Sequence, residues 1–95
     1  MTHFLVRLAD ARSQLMTSSL VKAHVTWLHQ LHNRGQLVLC GPCDDGTAII
    51  VLRCETMEEA SRISSSDPFA EAKAYSQRSI VKFNAATPEN NFLLR

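Results

Sequence analysis

The run Ala48-Ile49-Ile50-Val51-Leu52 constrains this chain more than any other stretch. It is short and β-branched, and it follows the turn residues Asp44-Asp45-Gly46, so it reads as a strand. Both of its alternating sets are apolar, so both faces of that strand need cover. Only two segments of the chain have helical patterning, enough to cover one face of a four-stranded sheet. Nothing in the remaining sequence is left for the other face. An identical sheet from a second copy is the simplest cover, which predicts a two-fold homodimer. Burial of roughly 600–800 Å² per subunit would make that interface standard in size.

The other elements follow from period and punctuation. Phe4, Val6 and Leu8 alternate with His3, Leu5 and Arg7, the period of a first strand. Asp10 to Met16 reads as a loop. Thr17 or Ser18 then caps a helix whose apolar stripe is Leu20, His24, Trp27, Leu28 and Leu31. Gly35 stops it at the position where a left-handed residue is wanted. Gln36 to Cys40 forms a second strand and Thr47 to Cys54 a third, joined by a hairpin. Thr56-Met57-Glu58-Glu59 opens a second helix with a capping-box pattern. Ser64-Ser65-Ser66 interrupts it, and Asp67-Pro68 restarts it, with Asp as N-cap and Pro at the first helical position. Arg78 to Phe83 is the last strand. The order is β-α-β-β-α-β, an α+β domain over residues 1–84 with a polar tail over 85–95. Phe92-Leu93-Leu94 gives that tail an apolar end able to dock on a neighbour.

With 95 residues the chain has room for one domain. A net charge of +1 supplies no basic field for nucleic acid. No stretch approaches the roughly 18 apolar residues that a membrane span needs. The start of the chain lacks the basic segment and long apolar block of a signal peptide, and three cysteines suit no disulfide framework. The expectation is a cytoplasmic protein with reduced thiols and no nucleic-acid or membrane partner.

Cys40-Gly41-Pro42-Cys43 matches the active-site tetrapeptide of thioredoxin-like oxidoreductases. That chemistry places the first cysteine at a helix N-terminus, where the dipole favours the thiolate. Here the motif ends a strand and leads into two aspartates, which disfavour a thiolate. If the four residues continue as strand, their outer Cα atoms lie about 10 Å apart, too far for a disulfide, although a turn at Gly41-Pro42 would close the gap. A thiol redox protein is therefore the weakest functional alternative. Structural zinc needs four ligands in close pairs, and Cys54 stands alone. Neither metal nor cofactor is expected.

His24 lies on the apolar stripe of the first helix and so points at the sheet. His29 and His32 are rotated from it by about 140° and 80°. A histidine on an apolar face is more often a core residue than a functional one. Asp67 likewise has a structural explanation as N-cap. The roles are compatible, because one carboxylate oxygen can accept a backbone N–H while the other accepts the His Nδ1–H.

Val21-Lys22-Ala23-His24-Val25-Thr26-Trp27-Leu28, then Leu31-His32-Asn33-Arg34-Gly35-Gln36-Leu37 and Gly41-Pro42, resembles the YCII-related (YciI-like) family. Ser66-Asp67-Pro68-Phe69 is similar to its Asp-Pro-aromatic motif, and Ser79-Ile80-Val81-Lys82-Phe83 to its closing strand. The resemblance spans roughly residues 3–84 and departs from the family in the linker Asp10 to Ser19. It implies a ferredoxin-like fold of dimeric α/β-barrel type, pairing through the sheet, and a His/Asp site at His24 and Asp67. It also makes Gly41-Pro42 a family feature, with the flanking cysteines incidental. Some relatives look like lyases or dehydrohalogenases of small aromatic compounds.

The expected function is proton transfer by His24, oriented by Asp67, on a small organic acid, phenol or lactone: a lyase, dehydrohalogenase or isomerase. Arg7, Lys22 and Arg78 are the candidates for holding a negative charge on that substrate. The alternative is a non-catalytic ligand-binding or interaction dimer whose His/Asp pair is structural.

Overall fold

The computed structural model describes residues 2–94; Met1 and Arg95, the outermost residues of the expected domain and tail, lie outside the described residues. Four strands form one antiparallel sheet: β1 (Thr2–Ala11), β2 (Leu37–Pro42), β3 (Ala48–Cys54) and β4 (Tyr75–Phe83). Their spatial order is β2-β3-β1-β4, so the two central strands are β1 and β3. Helix α1 (Ser18–Asn33) links β1 to β2, while α2 (Met57–Ser65) and the one-turn α3 (Pro68–Glu71) link β3 to β4. This is the ferredoxin-like β-α-β-β-α-β arrangement.

Register assigns each strand residue to a face. Val6 lies opposite Ile50 and Phe4 opposite Leu52, and all four are buried with Trp27 and Leu31 of α1 and Ala60 of α2. Leu5 opposite Val51, and Arg7 opposite Ile49, occupy the other face. Ile50 is therefore a core residue and Ile49 an outward one. Leu39, Val81 and Phe83 extend that second face and are exposed. The α-helices pack on the first face and leave the second, apolar face without a helical layer, although Val51 at its centre is buried.

Two elements run longer than the sequence pattern indicates. β1 continues to Ala11 because β4 begins at Tyr75, and the two pair to their ends. The segment expected as loop therefore holds the end of β1 and a short 3₁₀ turn, Ser13–Leu15. The tail is also structured: Pro88–Leu93 forms 3₁₀ turns, with Asn90 accepting from the Thr87 N–H at 2.9 Å and donating to the Ala85 carbonyl at 2.8 Å. Phe92, Leu93 and Leu94 are exposed at its end.

The helix ends follow local chemistry. Thr17 accepts the Leu20 N–H at 3.1 Å and Thr56 accepts that of Glu59 at 3.1 Å. At the end of α1, Gly35 has φ +73°, and the paired bonds from Gln36 N to Leu31 O and Gly35 N to His32 O close a Schellman motif. Lys73 stands at the matching left-handed place after α3, with φ 56°, where a side chain costs about 1–2 kcal/mol. Gly35→Ala should destabilise the fold by about 1–2 kcal/mol in urea denaturation, and Gly35→Asn by less, because asparagine tolerates this region. Equal stability of the parent and the alanine variant would contradict this account of the helix end.

Candidate functional site

The site is built where α1 crosses the junction of α2 and α3. Pro68 disfavours helical conformation in the residue before it, and Asp67 accordingly sits extended at φ −61° and ψ 128°. From there its Oδ1 accepts the Phe69 N–H at 2.9 Å, capping α3. The Trp27 indole N–H donates to Ser66 Oγ at 2.9 Å, and the Ser66 hydroxyl donates to the Ile63 carbonyl at 2.7 Å, so α1 is tied to the same junction.

These constraints bring His24 and Asp67 together. His24 Nδ1 lies 2.8 Å from Asp67 Oδ1. The carboxylate is wholly buried, and its other oxygen accepts from an Arg78 guanidinium nitrogen at 3.1 Å. Burial by itself would raise the pKa of Asp67. The hydrogen bonds from His24 and Phe69, with the charges of His24 and Arg78, outweigh it and hold the group below the ordinary carboxylate value. An ionised carboxylate can only accept, so the shared proton belongs to His24 Nδ1. The ring is fixed in a second direction by Phe69, stacked on it with centroids 3.9 Å apart and planes inclined by 13°.

The opposite nitrogen, Nε2, makes no hydrogen bond to the described residues, and no buried side-chain polar atom among them lacks a partner. Nε2 is thus not sealed off by a backbone carbonyl. His24 lines a cavity of about 600 Å³ between α1 and the sheet, with walls that include Leu8, Met16, Leu28 and Ile50. Its polar groups besides His24 are Ser13, Cys40 and Tyr75. Burial, then the charge of Asp67, raise the pKa of Tyr75, so its hydroxyl remains a hydrogen-bond donor well above neutral pH.

The three candidate cations are placed differently from one another. Arg78 is inside the site but engaged: it binds Asp67, and its other terminal nitrogen donates to Ser64 Oγ at 2.9 Å. Arg7 is exposed on the uncovered face of the sheet, and Lys22 is exposed on α1; neither lines the cavity. No sequence pattern singles out Tyr75 or Ser64 as site residues. Tyr75 falls before the point where the apolar alternation of β4 starts. The position of Arg78 is readable, since it alternates with Ile80 on the inward face of β4.

Cys40-Gly41-Pro42-Cys43 lacks the helix N-terminus and lowered thiol pKa of a redox dithiol. β2 runs through to Pro42 and no helix follows; Cys43 is exposed, and burial raises the pKa of the Cys40 thiol. Among the described residues no three metal-binding side chains cluster, and no helix is long and apolar enough to cross a membrane.

The YCII-related domain model matches residues 1–84. The chain belongs to the YCII-related family. Among solved structures, this YCII-related domain is similar to 5-chloro-2-hydroxyhydroquinone dehydrochlorinase (TftG) from Burkholderia phenoliruptrix AC1100, in complex with 2,5-dihydroxybenzoquinone. The TM-score is 0.71 at 19% identity, over 86% of this chain and 93% of that one. A candidate antibiotic biosynthesis monooxygenase from Nitrosomonas europaea aligns with a TM-score of 0.60 at 10% identity, over 92% of this chain and 100% of the other. A further antibiotic biosynthesis monooxygenase gives 0.58 at 6% identity with the same coverage. At these identities the likeness is one of fold. No curated protein matches the chain.

Removing the Asp67 carboxylate leaves the half-buried Arg78 without its counter-charge and α3 without its cap, so Asp67→Ala should cost about 2–3 kcal/mol. The acid limb of stability tests the same contacts. The folded pKa of Asp67 lies below its unfolded value of about 3.9, so its contribution is complete above that value and is lost as pH falls through the folded one. In urea denaturation from about pH 6 to about pH 2, the parent should lose stability below about pH 4 more steeply than Asp67→Asn, which cannot ionise. Parallel profiles would show that the carboxylate is not held as described.

Proposed function

We propose that this protein is a small-molecule enzyme in which His24 transfers a proton, with Asp67 as its orienting partner. The observation that carries the reading is the pairing of a tied Nδ1 with an unpartnered Nε2 on a cavity-lining histidine. With Nδ1–H donated to Asp67, Nε2 carries the lone pair that accepts a substrate proton. The imidazolium so formed faces a buried carboxylate, which stabilises it without taking its proton. In an elimination, the electron pair of the broken C–H or O–H bond becomes a new double bond while the leaving group departs with its own pair. In an isomerisation, the same proton returns to another atom of the substrate. Proton transfer by a side chain requires no metal and no organic cofactor.

The cavity suits a ring-sized organic acid, phenol or lactone, being mostly apolar with a few polar groups set into its walls. The fold shared with a dehydrochlorinase of a hydroxylated aromatic ring supports lyase or dehydrohalogenase chemistry over isomerisation. We place the protein in the cytoplasm, where its three free cysteines would stay reduced. We also infer a homodimer, formed across the uncovered sheet face that carries Leu5, Leu39, Ile49, Val81 and Phe83.

Activity is testable before the natural substrate is identified. Chlorinated hydroxyhydroquinones, phenols and lactones incubated with the protein in deuterated water, followed by proton NMR and chloride release, should identify a turned-over compound. On that compound His24→Ala should cut turnover by about 10²–10⁴. His24→Gln should melt close to the parent and be as inactive. A purely structural pair predicts the reverse: melting temperature falls, and turnover declines only with the folded fraction. Variants that keep both the parent melting temperature and full turnover would contradict both readings. Light scattering at micromolar concentration should give twice the monomer mass of 10.6 kDa, and Ile49→Lys should shift the protein towards monomer. A parent that is monomeric under these conditions would exclude the dimer.

A further inference from the structure

Tyr75 belongs to two concavities. On one side it lines the cavity with His24; on the other it lines a shallower pocket of about 410 Å³ together with Arg12, Ala70, Lys73, Ser76 and Arg78. Three of those six residues are permanently or normally cationic, and none is acidic. Arg78 is answered by Asp67, but among the described residues neither Arg12 nor Lys73 takes part in an ion pair. The Asp10 carboxylate accepts a hydrogen bond from the lining Ser76 hydroxyl and so borders the pocket, but it forms no ion pair with Arg12 or Lys73 and is outside the lining. Lys73 also occupies a left-handed backbone position, φ 56°, that glycine would fill without strain. A lysine at such a strained place, sharing the pocket with an arginine that forms no ion pair, points to a use for its charge.

We propose that the pocket lined by Arg12, Lys73 and Arg78 is an anion subsite that takes the carboxylate or other negatively charged arm of a substrate whose ring lies beside His24. The inference rests on the reading of the His24 cavity as the reaction site, and it narrows the substrate to a ring with an anionic substituent. The cavity itself offers no cation to such a group. Tyr75 is the shared wall, and its hydroxyl is available to donate a hydrogen bond to an anionic arm passing it. Arg12 and Lys73 supply the charge-assisted contacts beyond.

The test compares two probes that differ only in the arm: 2,5-dihydroxybenzoate and hydroquinone. Titrations followed by amide correlation spectra, with the His24 ring signals read in parallel, should show both probes perturbing His24. Only the carboxylate probe should also move the amides from Lys73 to Ser76. In the parent protein dihydroxybenzoate should bind about tenfold tighter than hydroquinone, a ratio that added salt reduces. In Lys73→Gly and Arg12→Gln the ratio should fall towards one, and Lys73→Gly should melt higher than the parent, because the strain is relieved. Higher stability with a lost preference is an outcome that unfolding cannot produce. A parent ratio near one, or a ratio that survives both substitutions, would overturn the anion subsite. The catalytic reading fails separately: no ring probe would move the His24 signals, whatever the pocket amides do.

Discussion

A carboxylate withdrawn completely from water persists as an anion only if its charge is answered, and Asp67 is answered from three parts of the chain. His24 comes from α1, the Phe69 N–H from the start of α3, and Arg78 from β4. Each contact alone has a modest worth, but in a dry setting the set is strongly interdependent. The carboxylate therefore fixes the angle of α1 against the α2–α3 junction as well as the direction of the imidazole. The geometry of the candidate site and the packing of one end of the domain depend on the same side chain.

That dual role explains how so small a domain maintains an open cavity beside its core. The hydrophobic face of the sheet is filled at Phe4, Val6 and Leu52 by Trp27, Leu31 and Ala60, while nearer Leu8 and Ile50 it is left partly unfilled. Polar ties act beside that packing to place α1: Trp27 to Ser66 and His24 to Asp67. Phe69 stacked on the imidazole covers one face of the ring, while His24 still lines the space that remains.

Much of this is legible from sequence because it is governed by local rules. The period of Leu20, His24, Trp27 and Leu31, the caps at Thr17, Thr56 and Asp67, and the stop at Gly35 all act within a few residues. The doubly apolar Ala48–Leu52 run marks the central strand, with Ile50 inward and Ile49 outward settled only by register. The family resemblance names His24 and Asp67 as a site, and the structure sets their side chains 2.8 Å apart. What stays hidden depends on partners distant in sequence. The extension of β1 to Ala11 follows from its pairing with Tyr75, and the engagement of Arg78 follows from Asp67 reaching it across the junction. An arginine reads in sequence as a free cation; only the fold reveals whether its charge is already used.

Asp67 accepts from His24 Nδ1, which places the neutral ring's proton on Nδ1 and its lone pair on Nε2. Long-range proton–nitrogen correlation spectra of the His24 ring test it most directly, recorded where the imidazole is neutral. The arrangement predicts a protonated Nδ1 and a lone-pair signal for Nε2 in the parent, with that preference weakened in Asp67→Asn. A parent protein with its proton on Nε2, or a tautomer indifferent to the Asp67 substitution, would contradict it.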